Sequence, residues 1–134
     1  FEGLIDFIEE SVFTLVNQVL ERHADEPLRQ AAAIATLVVQ FAERNPGMTR
    51  VMVGDALVFE NERLQQRMNQ FFDKIEATLK QCLRDAPSAT PTADAQVRAS
   101  VLTAFVVGRL QRFARSGFRK APSEHLDACL ARIL

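Results

Sequence analysis

The sequence predicts an all-α fold, an antiparallel helical bundle of about six helices. Three observations carry that expectation. Apolar residues recur at three- and four-residue steps through most of the 134-residue chain. The segments with that period are long, and short stretches rich in Pro, Gly, Asp and Asn join them. No segment reads as a strand. Long helices with short connections pack as antiparallel neighbours.

The first helix is expected from about Glu2 to Arg22. Leu4, Ile5, Phe7, Ile8, Val12, Leu15, Val16 and Val19 give it one broad apolar face. His23-Ala-Asp-Glu-Pro27 breaks it, with Asp25 as the expected cap of the next helix and Pro27 in its first turn. The second helix, about Glu26 to Glu43, is apolar nearly all round at Ala31 to Val39, which predicts burial on most sides. The third is short, about Pro46 to Val53, ending near Gly54. The fourth is long, about Asp55 to Arg84. Its Leu64, Met68, Phe71, Ile75, Leu79 and Cys82 follow a near-heptad seam, and Glu62, Arg63, Gln65, Gln66, Arg67, Asp73 and Lys74 form the expected solvated face.

Asp85 to Asp94 is the only low-complexity stretch and reads as a mobile connection inside one domain, since neither half could bury its apolar face alone. The fifth helix is expected from Pro91 or Thr92 to Gly117. The sixth runs from about Pro122 to the end, capped by Ser123 or Ala121.

Composition bounds the function. The chain has one domain's length, 48% apolar residues and a net charge of -1 from 16 basic and 17 acidic side chains. That balance gives no whole-chain attraction to nucleic acid or anionic membrane. The longest apolar stretch is too short to span a bilayer. Cys82 and Cys129 lie outside any CxxC motif and read as buried free thiols in a reducing compartment, with a disulfide or a reactive thiol as the alternative. The ten Phe, with no Trp or Tyr, supply core volume without needing hydrogen-bond partners.

Little points to catalysis. His23 and His125 have no second ligand at metal spacing, and no phosphate loop or nucleophile elbow is present. Glu9 with Glu10, or Glu60 with Glu62, do not share one helix face. No metal and no cofactor are expected.

Two surfaces of the fifth helix stand out. Arg109, Arg112, Arg115 or Ser116, Arg119 and Lys120 form a basic stripe: a patch for an acidic partner or DNA phosphate, or a solvated face with cations suited to a helix C-terminus. Val97, Val101, Ala104, Phe105, Gly108 and Leu110 mix large and small apolar residues. They read either as intramolecular core or as a two-fold dimer seam shared with Leu126, Leu130, Ile133 and Leu134 of the last helix.

The run Phe41-Ala-Glu-Arg-Asn-Pro-Gly-Met-Thr-Arg50 is the most distinctive. Asn45 suits an N-cap, Pro46 the first helical turn, and Gly47 frees the backbone. Glu43, Arg44 and Asn45 crowd an acid, a base and an amide onto one corner. It is either a capped turn or a contact site.

The block Glu43 to Arg50, then Gly54, Ala56-Leu57, Phe59-Glu60, Arg63-Leu64-Gln65, Arg67, Asn69-Gln70, Phe72, Ile75-Glu76-Ala77 and Leu83-Arg84, resembles the SlmA family of nucleoid occlusion factors, within the TetR-like class. Leu4-Ile5, Phe7-Ile8-Glu9, Ser11, Arg112-Phe113, Arg115-Ser116 and Phe118 fit the same family. The resemblance implies a TetR-like C-terminal regulatory and dimerisation domain over residues 1–134, acting as a homodimer. The start inside a helical pattern, Phe1-Glu-Gly-Leu-Ile5 without an initiator Met, fits a domain whose DNA-binding helix-turn-helix part lies upstream. It implies a cytoplasmic, nucleoid-associated inhibitor of cell division. Its partner would be FtsZ, whose C-terminal tail is held in a groove between the first two helices by Phe7, Leu37, Arg44 and Asn45. The dimer seam would fall on Val101, Phe105, Gly108, Leu126 and Leu130. Two positions depart from the family pattern: Leu15 stands where Arg is found, and Gln40 where Gly is found. The alternative is a TetR-like effector domain that binds a small apolar ligand within the bundle.

Overall fold

The computed structural model describes residues 2–57 and 62–134. Helix α1 spans Glu2–Arg22, α2 Pro27–Arg44, α3 Pro46–Met52, α4 Glu62–Leu83, α5 Pro91–Arg115 and α6 Leu126–Ile133, with a 3-10 turn at Asp55–Leu57. No strand occurs among the described residues.

Helix α2 is central and packs against α1, α4 and α5. Its Ala31, Ile34, Ala35, Val38, Val39 and Ala42 are all buried, as an all-round apolar helix requires. The seam expected on α4 is buried throughout; α4 packs along α5, whose Ala95, Ala99, Leu102 and Val106 are buried as well. Small residues on one side let large ones on the other sink between the helices.

Several boundaries differ from expectation, each for a nameable reason. Asp25 does not cap α2: Glu26 holds the N-cap position without a side-chain bond, and Pro27 opens the helix. The long fourth helix does not begin at Asp55. Gly54 takes a positive φ of 87°, the 3-10 turn follows, and Gln65 Nε2, near the start of α4, donates back to the Leu57 carbonyl at 2.9 Å. Glu60, half of one expected carboxylate pair, lies outside the described residues.

The last helix starts at Leu126, not Pro122. The Pro122 and Glu124 carbonyls accept from the Arg109 guanidinium of α5, and His125 turns left-handed at φ 54°, so a helix cannot form until it is passed. Upstream, α5 ends in a Schellman motif: Phe118 N–H donates to the Phe113 carbonyl and Gly117 N–H to the Ala114 carbonyl, with the two Phe rings 5.1 Å apart.

The face of α4 expected to be solvated is partly engaged. Arg67 donates to Asp6 at 2.7 Å and Glu9 at 3.4 Å, and Arg63 reaches Glu2, clamping α4 to α1. The hydrogen bond to Asp6 is the main reason the Arg67 pKa is raised. The 85–90 connection is pinned: Ser88 Oγ donates to Asp94, accepts from Thr90 N–H, and Ala86 beside it is buried.

Candidate functional site

The corner between α2 and α3 is built from the end of α2 outward. Asn45 does sit at the N-cap position of α3, but its side chain serves the helix behind it. Its Nδ2 donates to the Phe41 carbonyl at 2.8 Å, and its backbone N–H to Ala42. Buried Thr49 donates from Oγ1 to the Ala42 carbonyl at 2.7 Å. The terminal carbonyls of α2 are thereby satisfied from two sides. Glu43 points away from the corner and accepts from Ser123 Oγ at 2.8 and 3.0 Å. Arg50 stacks 5.1 Å from the Phe118 ring centre.

These internal contacts leave Arg44 exposed, and among the described residues no carboxylate pairs with it. It stands at one end of a depression of about 320 Å³ between α1 and α2. Leu15, Gln18, Val19 and Arg22 form the α1 wall; Leu37, Gln40, Phe41, Arg44 and Asn45 form the other. The floor is apolar and the charged groups, Arg22 and Arg44, are both cationic. Asn45 has committed one N–H to Phe41, which leaves its Oδ1 and second N–H for other partners.

Three of the four expected groove residues, Leu37, Arg44 and Asn45, therefore share one depression. Phe7 flanks it: it is 48% exposed, and its ring lies 6.5 Å from that of Phe41, which lines the site. Phe41, Gln18 and Arg22 were not singled out from the sequence. Their signal is spacing: Leu15, Gln18 and Arg22 are three and four apart on α1, as are Leu37, Phe41 and Arg44 on α2. Leu15 and Gln40, the two departures from the family pattern, both line the depression.

The residues expected at a dimer seam divide. Val101 is 47% exposed, Phe105 and Gly108 are half-buried, and nothing lies within 4 Å of a Cβ added at Gly108. Leu126 and Leu130 are consumed by the intramolecular core. On α6, Ala128 and Ala131 are exposed, and Cys129 and Ile133 are half-buried. The basic stripe of α5 is partly spent inside the molecule. Arg109 holds the α5–α6 connection and stacks on Phe105, and Lys120 pairs with Glu124 at 3.3 Å. That bond is the main reason the Glu124 carboxyl is held below the ordinary carboxylate range.

A family model described as the tetracyclin repressor-like C-terminal domain, SlmA-like, matches residues 26–132. The chain belongs to this family. It is 48% identical over 126 residues to the nucleoid occlusion factor SlmA of Colwellia psychrerythraea, covering 92% of this chain and 63% of that relative. It is 46% identical over 130 residues to the SlmA of Aliivibrio fischeri, covering 95% and 66%. Against the SlmA of Vibrio atlanticus the identity is 43% over 131 residues, covering 96% and 66%. The chain thus spans slightly less than two thirds of the length of these relatives.

Proposed function

We propose that this chain is a single regulatory and dimerisation domain of a nucleoid-associated inhibitor of division-ring assembly, and that its α1–α2 groove holds the C-terminal tail of FtsZ. The observation that carries the reading is the convergence of Leu37, Arg44 and Asn45 on one open depression, in a domain whose relatives are named nucleoid occlusion factors. The chemistry suits an extended acidic-apolar peptide. Phe7, Phe41 and Leu37 offer apolar surface, Arg44 can pair with a carboxylate, and Asn45 Oδ1 can accept a backbone N–H. The domain acts by binding, in the cytoplasm. DNA would be read by a helix-turn-helix domain outside this chain.

The homodimer is proposed along the exposed stripe of α5, where Val97, Val101, Ala104 and Gly108 recur at steps of four, three and four. Phe105 edges this seam, and Leu126 and Leu130 back it from within.

Titration of a labelled FtsZ tail peptide tests the groove. Arg44→Glu is expected to weaken binding by about tenfold or more and Asn45→Ala by several-fold, without loss of the folded baseline. No binding by the parent, or equal binding by all three proteins, would sink the site. For the seam, sedimentation should show a dimer at micromolar concentration that Gly108→Arg splits; a monomeric parent would refute it.

A further inference from the structure

The depression at Arg44 does not end at its own walls. A second, larger one of about 700 Å³ opens from it, and the two share Val19, Arg22, Leu37 and Gln40. The second runs along α2 toward its N-terminus and is closed on the far side by α6. Leu28, Ala33, Leu130 and Leu134 give it an apolar lining. Leu28 is 39% exposed and belongs to this contiguous apolar lining.

Charge marks the occupant. Arg22 stands at the junction, exposed and, among the described residues, without a carboxylate partner. Arg29, already paired with Glu26 at 3.1 Å, and His23 line the larger depression, whose one acidic lining side chain among the described residues is Asp127. The two depressions together are therefore apolar in the floor, with two cations unpaired among the described residues, Arg22 and Arg44, on a chain whose net charge is -1.

Length sets the rest. From Leu28 to Arg44 the groove follows α2 for sixteen residues, about 24 Å at the helical rise. That is room for about seven residues of extended chain, whereas the stretch from Leu37 to Asn45 takes about four.

We propose that the α1–α2 groove and the Leu28–Leu134 depression form one continuous peptide site. The tail's acidic residue would sit on Arg22 at the junction, and a further apolar side chain of the same tail would enter the pocket at Leu28. This rests on the tail-binding reading above and adds a second anchoring pocket to it. The occupant is an acidic-apolar peptide segment continuous with the one at Arg44, not a second copy of the domain.

Two labelled FtsZ tail peptides test it, one long enough for the smaller depression only and one that fills both. The parent should bind the longer peptide about tenfold more tightly. Leu28→Glu and Ala131→Glu should each remove most of that advantage, leave the shorter peptide's affinity unchanged and leave sedimentation as in the parent. Arg22→Glu should weaken both peptides. If the longer peptide binds no more tightly, or Leu28→Glu affects both peptides alike, the second pocket is refuted while the first site stands. A Leu28→Glu variant with altered sedimentation would assign the face to a second copy and overturn the proposal. Failure of the parent to bind either peptide would remove the tail reading itself.

Discussion

The α4–α5 seam and the α1–α2 face are both made by neighbouring helices rich in apolar residues, yet only the first closes. Met68, Phe71, Ile75 and Leu79 of α4 and Ala95, Ala99, Leu102 and Val106 of α5 are all at most 3% exposed. Between α1 and α2 an inner row closes as tightly: Ile5, Ile8, Val12 and Val16 are at most 1% exposed. Phe7 and Leu15, one face further round, remain 48% and 41% exposed. The apolar stripe of α4 is one seam wide, and small residues across from it complete the fit. That of α1 is wider than α2 can cover. Surplus apolar width on one helix, with cations at its edge, is where a partner peptide can be held.

The largest test of this contrast is a pair of truncations. Phe71→Ala, in the closed seam, should cost about 3–5 kcal/mol in chemical denaturation. Phe7→Ala should cost less than about 1 kcal/mol. Comparable losses would mean that the α1–α2 face is as structural as the seam. A smaller effect is expected from the clamp that joins the two regions. Arg67→Ala releases Asp6 and Glu9 on a largely exposed surface, for roughly 0.5–1 kcal/mol that shrinks as salt is added. An effect that does not change with salt would point to packing of the Arg67 stem instead.

The smallest signal comes from the seam's own thiol. Burial, aided by Asp85, pushes the Cys82 pKa above its ordinary value. The folded state therefore favours the neutral thiol. Stability tied to this group is fully present below the unfolded thiol's range and is lost as pH rises through it toward the folded value. Cys82 should alkylate more slowly than the half-buried Cys129. Equal rates at neutral pH would show that the seam opens.

Much of this fold was legible because its signals are local. The bounds of α1 and the buried seam of α4 follow from periodicity alone. The start of α6 was not legible, because the group that claims the Pro122 and Glu124 carbonyls is Arg109, on another helix. Nor could the sequence say that Asn45 turns back to Phe41, since an Asn before Pro suits either direction. The site was legible mainly through family resemblance. Local pattern alone favoured a capped turn at the α2–α3 corner. The α1 wall was written at helical spacing in Leu15, Gln18 and Arg22, but whether that face stays open depends on how far α2 reaches across it, which is a property of packing.

The bond between Glu43 and Ser123 joins residues 80 positions apart. A ribosome making about 5–20 residues per second needs roughly 4–16 s to deliver Ser123 after Glu43. Until then the Glu43 carboxylate lacks the hydroxyl donor that holds it in the folded domain. A residue of the α5–α6 connection thus fixes an acid beside a groove made almost wholly from α1 and α2.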